Sequence, residues 1–195
     1  MAKIVQYTSL KNLSTEALAD LYRSKGIDYP KFFKMDALCK AGFLMAEDIV
    51  NKCDDEFLKH KDNTSVIVFT SNGTLRTDIG FERTIADPEN RFPSPSYFVY
   101  TLPNIVAGEI AIRHGFMGET AVYITEHFLP TQIEGIVDDT IAVSDYVLAA
   151  WIDTIGDTTS ALMFLISRTG NDDMTNFDAG QLEGIYNQCF GKYKI

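Results

Sequence analysis

The sequence predicts an α/β fold, a five-stranded mixed sheet with helices on both faces. Three observations carry this. Apolar, β-branched runs alternate with stretches whose apolar residues recur at three-and-four spacing, which argues for strands joined by helical crossovers. The run SVIVFT at 65–70 is apolar and β-branched, as a strand covered on both faces should be. Finally, the turn at Gly156 and Asp157 is too short for a crossover, so the last two strands should be antiparallel.

Each element follows from its residues. Lys3 to Thr8 reads as a first strand, and Ser14 can cap a helix carrying Leu18, Leu21 and Tyr22. GIDYPKFF is a turn with exposed aromatics. A strong helix follows, with Met35, Leu38, Cys39, Gly42, Met45, Ala46, Ile49 and Cys53 on one buried face. SVIVFT is the second strand, SNG a turn, and Leu75 to Ile85 a helix carrying Ile79 and Phe81. DPENRFPSPS is a loop. Pro103 suits the first turn of the next helix, which Gly115 ends. Ala107, Gly108 and Ala111 on that helix are small enough to admit a neighbouring backbone. Ala121 to Thr125 is the third strand, and Thr131 with Glu134 forms a capping box for TQIEGIVDDTIAV. Tyr146 to Ile152 and Ala161 to Ser167 are strands four and five. Asp178 caps a terminal helix with Gln181 at its third position.

The 195 residues suffice for one domain with a real core. No apolar run approaches the ~20 residues of a membrane span, and MAKIVQYTSL lacks the features of a signal peptide, so the expectation is a cytoplasmic protein. The three cysteines, Cys39, Cys53 and Cys189, show no metal-ligand spacing and read as reduced core residues, so no cofactor or metal is expected. Net charge is −10. From Thr131 onward ten acidic groups face only Arg168, Lys192 and Lys194. Such a surface repels nucleic acid and anionic membrane.

LPN at 102–104 is followed by AGEIAIRHGFMGE and an apolar strand. This resembles the region before the nucleophile in β-ketoacyl synthases of the thiolase-like superfamily. SVIVFTSNG with Asp78 and Phe81, and DYVLAAWID with TTSALMFLIS, are similar to further pieces of the N-terminal half, covering roughly Met35 to Arg168. The resemblance implies half of a thiolase-like fold, sheet order 3-2-1-4-5, spanning residues 1–170, with 171–195 as a C-terminal helical extension. It also implies a nucleophile position about nine residues beyond Gly118, at Glu126, His127 and Phe128, where no cysteine stands. Condensation needs a thiolate. In the family the second half supplies two catalytic histidines, and none of His60, His114 and His127 falls in such a motif.

The residues themselves allow plainer readings. Glu126 and His127 are adjacent on an extended chain and point apart, which suits a polar loop entrance better than an acid–base pair. His114 next to Gly115 reads as a cation at a helix C-terminus, Trp151 as core, and SNGT at 71–74 as a plain turn rather than a phosphate nest. Phe92, Tyr97, Phe98 and Tyr100 either cover the core or contact a partner.

Three functions follow as expectations. The first is a non-catalytic partner subunit in fatty-acid or polyketide-type synthesis, such as aryl polyene pathways. It would form a homodimer, or a heterodimer with a ketosynthase, through the edge strand Ala121, Val122, Tyr123, Ile124 and Thr125, with Tyr97 and Phe98 nearby. In this reading a partner, or the helix at 178–190 through Leu182, Ile185, Tyr186 and Phe190, covers the face that the second half would occupy. The second is an acyl-thioester transferase or hydrolase using Glu126 and His127. The third is an acyl-chain binding module. Acidity opposes docking of an acidic acyl carrier protein unless Lys31, Lys34, Arg83, Arg91 and Arg113 cluster.

Overall fold

The computed structural model describes residues 2–89, 92–170 and 173–191. Among them lie a six-stranded mixed sheet and eight α-helices. Strand β1 (Lys3–Ser14) leads into α1 (Thr15–Ser24), capped by Ser14, whose hydroxyl accepts from the Ala17 N–H. Helix α2 (Ala37–Val50) is capped in the same way by Asp36. A short α3 (Asp55–Leu58) precedes β2 (Thr64–Thr70), which is buried at every residue. Then come α4 (Leu75–Arg83), α5 (Pro95–Val99), α6 (Ile105–His114), β3 (Thr120–Ile124), α7 (Pro130–Ile141), β4 (Tyr146–Ile155), β5 (Thr158–Ser167), β6 (Thr175–Asn176) and α8 (Ala179–Phe190).

The strand order is β3-β2-β4-β5-β1-β6. β2 runs parallel to both β3 and β4, while β4 and β5 form the expected antiparallel hairpin around Gly156, which takes φ +58°. The expected five strands in order 3-2-1-4-5 are therefore corrected: β6 adds a sixth, where Asn176 and Thr175 pair with Lys3 and Ile4 of β1. β1 does not enter between β2 and β4; it lies antiparallel on the far side of β5. Burial explains this. β1 alternates, with Lys3, Gln6, Thr8 and Lys11 among its apolar residues, whereas β2 and β4 are nearly continuously buried. A strand parallel to both neighbours, with helices over both faces, needs the continuous pattern. β1 also carries a bulge between Leu10 and Leu13, where Asn12 takes φ +52° and exchanges hydrogen bonds with Ser160.

Two apolar layers flank the sheet. Val66, Val68, Leu148, Ala150, Ile152, Met163 and Leu165 face α1, α2 and α6. Ile67, Phe69, Val147, Ala149, Trp151, Phe164 and Ile166 face α7 and α8. On the second face Leu182 of α8 is fully buried, and Ile185, Tyr186 and Phe190 pack against the same core. Asp178 caps α8 as expected, its side chain accepting from the Gln181 N–H.

Two helix starts differ from expectation. Thr131 and Glu134 form no capping box: Pro130 takes the first helical position of α7 and Leu129 the cap, without a side-chain hydrogen bond. Pro103 stands ahead of α6, whose cap is Asn104.

Candidate functional site

The route to the candidate site begins at the C-terminus of α6. Gly115 closes that helix in the left-handed region at φ +73°. Three residues on, Gly118 lies against β2. Its N–H donates to the Thr64 carbonyl at 3.1 Å, and a Cβ there would stand 2.6 Å from the same oxygen. The Ser65 hydroxyl, 2.8 Å from that of Ser144, accepts from the Glu119 N–H at 2.9 Å. Together these contacts seat β3 beside β2 in register Val66 to Thr120.

Past β3 the Thr125 N–H donates to Thr70 and its hydroxyl donates to the His127 carbonyl at 2.9 Å. Glu126 is exposed. Phe128 is buried, stacked on Tyr186 at 4.3 Å and edge-on to Trp151 at 5.9 Å. His127 is half-buried and lines a cleft of about 480 Å³ between the start of α7 and α8. Glu183, Tyr186 and Asn187 line the opposite wall, and Glu126 does not reach the lining. The cleft thus offers an imidazole, a phenol, an amide and a carboxylate.

No thiol lines this cleft among the described residues. Cys39 is buried under the opposite face of the sheet, and burial pushes its thiol well up. Cys53 accepts from Gln6 Nε2 at 3.1 Å and, mainly through burial, is pushed up to about 11. Cys189 packs on the second-face core from α8. Thiols held up as Cys39 and Cys53 are carry little thiolate at neutral pH.

Among the described residues β3 is the sheet edge and pairs with β2 alone. Tyr123 stacks on Phe69 at 5.5 Å; Ile124 is 65% exposed, and Thr125 is buried. The aromatic segment divides. Tyr100 is buried, Tyr97 and Phe98 both pack against Phe81 while staying partly exposed, and Phe92 is exposed.

A larger cavity, about 810 Å³, opens beyond the C-terminal ends of β2 and β4. Its floor is the SNG turn. Asp153 accepts from the backbone N–H of Ser71 at 3.3 Å, from the Ser71 hydroxyl at 2.6 Å, and from the backbone and side-chain amides of Asn72 at 3.2 and 3.1 Å. The donors of a phosphate nest are therefore already taken, which supports the plain-turn reading. This clamp was missed in the sequence, although an acidic residue ending an apolar strand is the kind of signal that could have raised it.

The basic residues considered for carrier docking are partly committed. Lys31 pairs with Glu109, and Arg113 grips Glu47 with Nε at 2.7 Å and Nη2 at 3.2 Å. Arg91 lies outside the described residues. Among the described residues no group of histidine, cysteine and carboxylate side chains could hold a metal, and no helix is long and apolar enough to cross a membrane.

No family model matches the sequence, and no curated protein matches it. Solved structures do match. A chain of the ishigamide ketosynthase/chain length factor superposes with TM-score 0.66 at 12% identity, over 89% of this chain and 63% of that one. A chain of the ketosynthase in complex with its chain length factor from Xenorhabdus doucetiae gives 0.63 at 11%, over 98% and 92%. A type II polyketide-synthase acyl-carrier protein complex with its ketosynthase gives 0.57 at 11%, over 85% and 62%. The chain thus spans less than two thirds of the first and third and most of the second. The likeness establishes a ketosynthase-type, thiolase-like fold.

Proposed function

We propose that the chain is a non-catalytic, ketosynthase-like partner subunit in fatty-acid or polyketide-type synthesis, with aryl polyene pathways among the candidates. The observation that carries this is the end of β3. Where the resemblance calls for a thiol nucleophile, Phe128 is packed between Trp151 and Tyr186, and the three cysteines lie elsewhere. A condensing enzyme cannot hold its acyl group on these side chains. Residues 1–170 are the ketosynthase-like unit in this reading, and α8, in the 171–195 extension, covers the second face.

The partner joins through β3, as a second copy or as a ketosynthase. An edge strand with exposed Ile124 and no lysine or proline to block pairing supports this. The likeness to ketosynthase and chain-length-factor complexes supports a ketosynthase as the partner. The proposed setting is cytoplasmic.

The test is affinity capture from the native cell together with light scattering. The wild type is expected to bring down a ketosynthase or to run as a dimer. Ile124→Lys, at an exposed edge position, is expected to lose the association while staying folded. A wild type that is monomeric and captures no ketosynthase overturns the proposal.

His127 facing the cleft at α8 favours a second reading, an acyl-thioester transferase or hydrolase. Turnover of an acyl thioester by the wild type, lost in His127→Ala, would establish it in place of the first.

A further inference from the structure

The cavity beyond β2 and β4 has no part in the proposed pairing, and its walls suit a ligand. We propose that it binds a small organic anion, a carboxylate or phosphate monoester on an apolar body, with the headgroup held between the Lys40 ammonium and the N-terminus of α4.

The first observation is Lys40. It is 7% exposed, lines the cavity, and makes no hydrogen bond or ion pair among the described residues. Its Nζ lies 5.8 Å from the centre of the Phe32 ring. Asp36, one turn earlier on the same helix, does not close on it. One Asp36 oxygen accepts from the Cys39 N–H at 2.8 Å and the other from the Thr77 hydroxyl at 3.1 Å. The stem is buried, while the Nζ keeps access to the cavity and is open to an anion there. Burial lowers the proton affinity of Lys40, and the nearby Asp36 carboxylate opposes that shift.

The second observation is α4. The Thr74 hydroxyl at its cap position donates to the Thr101 carbonyl at 2.6 Å, so no side chain caps the helix. Leu75, Arg76 and Thr77 of its first turn line the cavity, with Asn72 to Thr74 of the preceding turn beside them. An uncapped helix start favours an anion through its backbone N–H groups and the helix dipole.

Charge and wall chemistry agree with both. The charged lining residues are Lys40, Arg76 and Arg83 against Asp36 and Asp157. Arg76 is engaged by Asp157 and by the Gly156 carbonyl, which leaves Lys40 and Arg83 against Asp36. This excess of cations stands out in a chain with 17 basic and 27 acidic residues. Met35, Leu38, Leu75 and Ile79 supply apolar wall, and Leu75 and Ile79 are exposed without a ligand. About 810 Å³ falls within the usual range of small-molecule sites.

The test is calorimetric titration at pH 7 with octanoate and octyl phosphate, and with inorganic phosphate as the headgroup alone. The wild type is expected to bind at least one octyl ligand saturably at one site, more tightly than inorganic phosphate. Lys40→Met is expected to weaken binding at least ten-fold, because it removes the cation that faces the headgroup. Arg83→Gln, at an exposed position, is expected to weaken binding several-fold without changing the fold. Failure of both octyl ligands to bind the wild type overturns the proposal, as does equal binding by both variants. Inorganic phosphate binding as tightly as octyl phosphate overturns the apolar half of the site.

Discussion

Asp153, at the end of β4, is hydrogen-bonded to Asn72 in the turn after β2, accepting from its backbone N–H at 3.2 Å and its side-chain amide at 3.1 Å. The two strands are neighbours, so one carboxylate fixes where both end. Asp153→Ala strands these donors and those of Ser71. A loss of about 2–3 kcal/mol is expected from unsatisfied, partly buried donors at a charged acceptor. Urea unfolding of the two proteins checks it, and an unchanged midpoint would reduce the clamp to a surface contact.

Acid should unfold the protein partly through His114. Burial, opposed by Glu47 and assisted by Arg113, lowers its proton affinity from the ordinary 6.5 to about 4. The folded value lies below the unfolded one, so the unfolded chain takes the proton first. The stability is present in full above about pH 6.5 and is lost as pH falls towards 4, on the order of 3 kcal/mol in all. His60, raised by Asp145 and Glu56, has the opposite sign and does not weaken the fold across this window. Asp36, held up by burial, also opposes the loss at its lower end. Urea midpoints from pH 7 to 4.5 are expected to fall more steeply for the wild type than for His114→Gln.

Gly118→Ala should be severe and Gly108→Ala mild. The new Cβ at 118 would meet the Thr64 backbone oxygen at 2.6 Å, and backbone in the sheet cannot give way. About 2–4 kcal/mol is expected to be lost. At 108, inside α6, a Cβ meets nothing within 4 Å, and alanine should gain about 0.5–1 kcal/mol through helix propensity. Thermal melts of both variants give the comparison.

Phe128→Ala should loosen α8. The ring is buried between Tyr186 and Trp151, so its removal leaves a cavity costing about 3–5 kcal/mol. Amide exchange along 179–190 is expected to quicken more than along α2. Equal protection in the two helices would show that α8 is held independently of this stack.

Much of the fold was legible because its signals are local. The caps at Ser14 and Asp178 need only a short polar side chain before an apolar run, and Gly115 needs only the absence of a Cβ. Where two local signals compete, the reading slips. Thr131 with Glu134 resembles a capping box, but Pro130 takes the first helical position and moves the cap from Thr131 back two residues to Leu129. The expected strand order was overturned: β1 mixes Lys3, Gln6, Thr8 and Lys11 with its apolar residues, a pattern that suits a place away from the parallel centre of the sheet.

The candidate sites were less legible, and for a different reason. Nothing near Phe128 in sequence announces Tyr186, and the alignment of Lys40 with the start of α4 depends on how two distant helices meet. Likewise the acceptor that fills the SNG turn comes from a strand eighty residues away.

By itself the sequence determined the kinds of element, most of their ends and the antiparallel last hairpin, because these depend on residues within a turn or two of one another. Only the tertiary structure decided which strands are neighbours, that Phe128 and not a thiol occupies the end of β3, and that Lys40 and the start of α4 line one cavity. Those outcomes are set by long-range burial, where the free energy of a side chain depends on groups brought to it from elsewhere in the chain.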